Sequence, residues 1–166
     1  MPHSTLTVGN VEITVLHDAE VALPFSRTFP DVPLEAWEPY IERYPDAYSS
    51  GDSLRVHFEC YLVRSQGLTL LVDTGLGNAT SNPNVVASIG GGIDGVLLSE
   101  LEAAGFQAED IDTVFLTHLH PDHVGWNVTR NGSQESATFP DARYVANEAD
   151  WTACETPLDS EIFGYN

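Results

Sequence analysis

Apolar and polar positions alternate at the start of the chain. Leu6 and Val8 are separated by a threonine, Gly9-Asn10 follows as a turn signal, and Val11, Ile13 and Val15 resume the alternation. A period of two on both sides of such a pair predicts a β-hairpin. The same period returns from Leu54. Val56, Phe58, Cys60 and Leu62 share one strand face, Gln66-Gly67 makes a turn, and Leu68 to Val72 reads as a second, more fully buried strand. That strand stops at Asp73-Thr74-Gly75. Asp94 is the candidate cap of a helix reaching about Ala104, with Val96, Leu97, Leu101 and Ala104 at helical spacing and Gly105 as its stop. Thr113 to Leu116 is a further buried strand, Ala142 to Ala146 another, and Asn147 to about Cys154 a closing helix. This alternation of strand and helix predicts a layered α/β chain.

Two segments stand outside the pattern. A long irregular stretch, residues 24–53, carries Pro24, Pro30, Pro33, Pro39 and Pro45 among Phe25, Phe29, Trp37, Tyr40, Tyr44 and Tyr48. Loops of this length are uncommon unless they act as lids or interaction arms. Its aromatics either cover an apolar substrate or a partner, or anchor the loop to its own domain. The second segment is Gly90-Gly91-Gly92, ahead of Asp94.

Length and charge narrow the classes. A chain of 166 residues is expected to form one domain, residues 1–166. Twenty-five acidic side chains face six arginines, giving a net charge of -19. Such a chain repels phosphates, so no nucleic-acid partner is expected. No apolar run is long enough to span a bilayer, so no membrane partner is expected either. The first residues show no basic and apolar leader pattern, which points to the cytoplasm. Cys60 lies inside a strand pattern and Cys154 is far from it, so the pair makes neither a disulfide framework nor a zinc ribbon.

Candidate chemistry is concentrated at Thr117-His118-Leu119-His120-Pro121-Asp122-His123. His118 and His120 are two residues apart, so in extended chain they point the same way and can hold one ion together. Pro121 biases His120 toward extended backbone. Asp122 and His123 turn elsewhere, where a second ion can sit. Nitrogen and carboxylate donors without thiolate suit zinc, and also iron or manganese. A buried strand leads into the segment, as at the strand ends where α/β proteins build sites.

The segment Thr117-His118-Leu119-His120-Pro121-Asp122-His123-Val124-Gly125-Trp126 resembles the defining H-x-H-x-D-H motif of the metallo-β-lactamase superfamily. Leu70-Leu71-Val72-Asp73-Thr74-Gly75 resembles that family's upstream strand and turn. Phe139 to Tyr144 and Asn147 to Trp151 resemble the segment after the motif in the lactonase and methyl-parathion-hydrolase-like branch. The resemblance implies an αββα sandwich, of which this chain is the N-terminal half. It also implies that His118 and His120 bind a first metal, that Asp122 and His123 bind a second, and that Asp73 supports these ligands from behind. Two zinc ions would then activate water against a small-molecule lactone, ester or phosphotriester, with Asp122 as the catalytic proton carrier.

The family completes its site with ligands from a second half of the fold. Here the histidines are His3, His17, His57, His118, His120 and His123, and none follows the motif. Asp141, Asp150 and Asp159 follow it, in contexts that do not match the family's bridging carboxylate. Three explanations compete: a fragment, a natural half-domain completed by another chain, or a relative with a weakened metal site. The uncovered sheet of a half-domain leads to the expectation of a homodimer or a complementing half-domain. His17 and His57 fall in alternating strand patterns and are read as structural. The alternative to a hydrolase is a non-catalytic or half-site metal-binding protein. An iron oxygenase of the same fold is a third reading, by analogy.

Overall fold

The computed structural model describes residues 3–78 and 93–154. Gly90-Gly91-Gly92 and Asp159 lie outside the described residues. The chain divides into two compact units, one of Met1–Ala19 with Phe58–Asn166 and one of Glu20–His57.

The strands that build the sheet are β1 (Thr5–Val8), β2 (Val11–Pro24), β3 (Tyr48–Ser50), β4 (Ser53–Ser65), β5 (Leu68–Val72), β6 (Thr113–Phe115) and β9 (Arg143–Val145). Their order is β1-β2-β4-β5-β6-β9, with β3 beside β4. The predicted hairpin is β1–β2, in antiparallel register with Leu6 opposite Ile13. The turn between β4 and β5 is Gln66-Gly67, with φ of 52° and 80°. Two left-handed residues give the twist that a two-residue hairpin needs. β5, β6 and β9 are parallel. Parallel neighbours need a crossover, and helix α3 (Leu97–Ala103) lies in the one between β5 and β6.

Register determines the two faces of this sheet. Leu62, Leu71, Val114 and Tyr144 stand opposite one another across four strands. The first three are essentially inaccessible and belong to a core that includes Leu97 and Leu101 of α3, Ile111, Trp126 and Phe139. The neighbouring row, Tyr61–Val72–Phe115–Val145, points to the other face. There Tyr61 is 39% and Phe115 42% exposed. One apolar face is therefore packed and the other open.

Several expectations change in detail. In the first half of β2 the buried row is Thr14, Leu16 and Asp18, while Val11, Ile13 and Val15 are half-buried. Asp94 is exposed, and the N-cap position of the helix is Val96 instead. Helix α3 starts at Leu97 without a side-chain cap from its own N-terminal neighbour. The Leu97 amide instead donates to Asp18 Oδ1 at 3.0 Å. The polar loop after Gly125 contains a hairpin, β7 (Val128–Asn131) with β8 (Gln134–Ala137). The closing helix α4 (Glu148–Cys154) follows Asn147, whose side chain accepts the Ala149 amide at 2.8 Å.

The second unit holds most of the stretch read as irregular. It contains two short helices, α1 (Phe25–Thr28) and α2 (Glu38–Arg43), and single turns at Leu34–Ala36 and Pro45–Ala47. Pro39 and Pro45 sit in first turns, where a missing N–H costs nothing. Phe25 stacks on Trp37 with centroids 4.5 Å apart, and Tyr48 meets Phe25 edge-on. These aromatics form the unit's own small core, while Tyr40 and Tyr44 remain exposed.

Candidate metal centre

The site is assembled where two adjacent parallel strands end. β5 ends at Val72 and β6 at Phe115, and the ladder continues one step as the Asp73 amide donates to Phe115 O. Asp73 then takes a left-handed conformation, φ 60°. Few non-glycine residues other than Asn, Asp and His tolerate this, and here it turns the carboxylate toward the segment after β6. Asp73 Oδ1 accepts the Thr117 amide at 2.8 Å, and Oδ2 accepts the Thr117 hydroxyl at 2.8 Å. Burial pushes the Asp73 carboxyl up, but the bonds from His123 and Thr117 outweigh it and hold it below its ordinary value.

An ionised Asp73 can only accept, and this settles the tautomers around it. His123 Nδ1 lies 2.9 Å from Asp73 Oδ2, so Nδ1 carries the proton and Nε2 is left with its lone pair. Thr117 gives its single hydroxyl proton to Asp73. His118 Nδ1, 3.1 Å from Thr117 Oγ1, must then be the donor there. That leaves His118 Nε2 as a second free lone pair. One carboxylate thus turns two imidazoles the same way, directly and through a hydroxyl.

His120 faces the free His118 nitrogen. His118 Nε2 is 3.0 Å from His120 Nδ1, and the His118 ring centroid is 3.9 Å from that of His123. Two nitrogens bound tetrahedrally to one zinc at ~2.0–2.1 Å stand about 3.3 Å apart. The His118–His120 pair is within a few tenths of an ångström of that separation, so these two nitrogens fit one zinc ion. On the other side of His123, its Nε2 lies 3.5 Å from Asp122 Oδ2. His118 is held below its ordinary pKa by burial and by the nearby His123 and His120, which favours the neutral ring a metal needs. His123 is held above its ordinary value by its bond to Asp73, against the effect of burial.

The surrounding chain is tied at several points. The Thr74 amide donates to His123 O, the Gly125 amide to Gly75 O and the Trp126 amide to Thr74 O. Thr74 is fully buried, and its hydroxyl reaches Asn127 Oδ1 at 3.0 Å. Beside the motif, Leu116, Val128, Tyr144, Val145, Ala146 and Trp151 line a mainly apolar groove of about 520 Å³.

The structure brings His118, His120, Asp122, His123 and Asp73 together. It does not bring every other histidine there as a partner. His3 Nε2 pairs with Glu100 at 3.0 Å, and His57 Nδ1 lies 3.5 Å from Glu20. His17 is half-buried on β2. Sequence reading missed Asp18, a fully buried carboxylate that accepts the Trp126 indole N–H at 2.8 Å. The available signal was its place on the buried parity of β2, two residues after Leu16.

The family model of the metallo-beta-lactamase superfamily matches residues 59–129. No curated protein matches the chain. Among solved structures, the hydrolase AbOPH of the beta-lactamase superfamily is 27% identical with a TM-score of 0.74 over 96% of this chain and 49% of its own. AidC, a dizinc quorum-quenching lactonase, is 22% identical with a TM-score of 0.73 over 95% of this chain and 49% of its own. The chain spans about half the length of these neighbours. Among the described residues no helix is long and apolar enough to cross a membrane. Residues 59–129 thus match the metallo-beta-lactamase superfamily model, and the chain, over the length it spans, has the fold of solved structures from that superfamily.

Proposed function

We propose that this chain supplies the metal-binding half of a zinc-dependent hydrolase acting on a lactone, another ester or a phosphotriester. The observation that carries this reading is the convergence of His118 Nε2 and His120 Nδ1 at 3.0 Å, beside His123 and Asp122. His118 and His120 would hold one ion, and Asp122 with His123 a second. Bound there, zinc would supply Lewis-acid polarisation of a carbonyl or phosphoryl oxygen and lower the pKa of water toward neutrality. Asp122 would take a proton from the attacking water and return it to the leaving group. Asp73 would hold His123 and, through Thr117, His118 in the tautomers that leave their Nε2 atoms free. The groove that starts at Leu116 would accept the apolar part of a substrate, since its volume is in the range of small-molecule sites.

A second chain belongs to this proposal. The open row Tyr61–Val72–Phe115–Val145 favours cover by a second copy of this chain or by a complementing half-domain, which would also bring further metal donors. The same row favours the alternative reading, a half-site that binds metal without catalysis until it is completed.

Elemental analysis with an activity screen tests these readings. Two zinc ions per chain, and ester or phosphotriester cleavage that His120→Ala abolishes, support the hydrolase. Bound zinc without cleavage supports the half-site. A folded protein that takes up no metal defeats both, and a redox-active iron points to oxygenase chemistry.

A further inference from the structure

Asp18 is fully buried, and its carboxylate accepts four hydrogen bonds from the described residues. Its Oδ2 accepts the backbone amides of Leu76 at 2.7 Å and Gly77 at 3.2 Å. Its Oδ1 accepts the Leu97 amide at 3.0 Å and the Trp126 indole at 2.8 Å. An ionised carboxylate has about four lone-pair directions, and these four donors fill them. All four donors are neutral. A buried charge compensated only by neutral dipoles is costly, and burial does raise the Asp18 pKa against the pull of these bonds. A cost of that kind calls for a reason in what the carboxylate joins.

What it joins is the frame of the candidate metal centre. Leu76 and Gly77 continue the segment that begins at Asp73. Trp126 ends the segment that carries His118, His120, Asp122 and His123. Between the two run the Thr74–His123, Gly75–Gly125 and Thr74–Trp126 backbone bonds. Asp18 grips both segments at the end away from the strands. Three glycines allow the approach. A β-carbon at Gly75 or Gly95 would run into the Asp18 carboxylate, and one at Gly125 would run into the Leu76 backbone.

We infer that Asp18 is a positioning residue of the metal centre, fixing through the Trp126 indole the turn on which the four donor side chains are mounted. This inference rests on the proposed metal-binding reading for its consequence, but the positioning itself is readable without a metal. A bond lost at Trp126 frees the motif-bearing turn at one end while the strands keep their ladder.

The test uses Trp126→Phe, which keeps an aromatic ring and deletes the one N–H, and Asp18→Asn, which sets an amide NH₂ against incoming donors. Amide hydrogen exchange is followed by mass spectrometry on the metal-free full chain. Cobalt(II) binding is followed by its visible spectrum. Faster exchange confined to peptides within residues 117–127, with β4 and β5 unchanged, is the expected result for Trp126→Phe. Cobalt affinity is expected to fall at least about tenfold, with a shifted ligand-field band, as for other residues that orient metal ligands. Exchange in 117–127 that matches wild type overturns the inference. So does exchange that accelerates equally in β4 and β5, because Asp18 would then be a general stability residue. A variant that binds cobalt with wild-type affinity and spectrum also overturns it. A wild-type chain that binds no cobalt sinks the metal-binding proposal instead, and the exchange pattern alone then decides the role of Asp18. If Asp18→Asn does not fold, Trp126→Phe carries the comparison.

Discussion

His123 donates its Nδ1 proton to Asp73 Oδ2 across 2.9 Å. Asp73 directly follows β5 and His123 lies in the segment after β6, fifty positions apart in the chain. The pKa of each is shifted by the other in the sense of an ion pair.

This pair predicts a pH window for the stability of the metal-free protein. His123 is raised above 6.5, so its contribution is complete below 6.5 and disappears as pH rises through the raised value. Asp73 is lowered from 3.8, so its contribution is complete above 3.8 and disappears as pH falls through the lowered value. A double-mutant cycle of Asp73→Asn and His123→Gln, read by urea unfolding, should give its largest coupling near about pH 5 and a smaller one above about pH 8. Coupling that grows with pH over that range contradicts the pairing.

Two glycines in left-handed turns should respond differently to alanine. Gly67 has φ 80° and open space around it, so Gly67→Ala meets backbone strain alone, about 1–2 kcal/mol. Gly75 has φ 65° and faces Asp18. Gly75→Ala adds an overpacking cost of about 1–3 kcal/mol to the same strain. Thermal and denaturant unfolding of the two variants should rank them in that order, and equal losses would remove Asp18 as the obstacle.

The two thiols should separate cleanly. Cys60 is fully buried, and burial pushes its thiol well up, followed in effect by the nearby Asp18 and Asp73 charges. Cys154 is partly accessible. A thiol reagent should therefore modify one cysteine in the native protein, mapped to Cys154, and the second on unfolding. Rapid native labelling of Cys60 would mean that the β4 core opens readily.

The open sheet row predicts association. The wild-type chain at micromolar concentration should show a solution mass above that of the monomer, and Phe115→Glu should return it to the monomer mass without unfolding it. A well-folded wild-type monomer under those conditions would exclude a homodimer formed through this face.

Legibility in the sequence follows the range of the interaction involved. The hairpins at Gly9-Asn10 and Gln66-Gly67, strand β5 and the histidine motif were legible because alternation, turn residues and ligand spacing are local. Hairpin β7–β8 was passed over because its strands are polar and largely exposed, leaving only Asn131-Gly132 as a cue. Asp94 looked like a cap because it lies close to a helix start. The acceptor in use is Asp18, 79 positions from Leu97, and no local pattern reports a contact of that length. The tautomers of His118 and His123 were likewise beyond spacing rules, since they depend on where Asp73 points after its left-handed turn.

Helix α3 illustrates what such a distant acceptor does to folding. Seven residues are too few to persist as an isolated helix in water. With its leading amide satisfied only by β2, the segment gains its partner when the intervening chain has closed, at an entropic cost that grows slowly with loop length. Its helicity is thus inherited from the strand: a peptide cut out around it should be random coil, and any loosening of β2 should unwind it first.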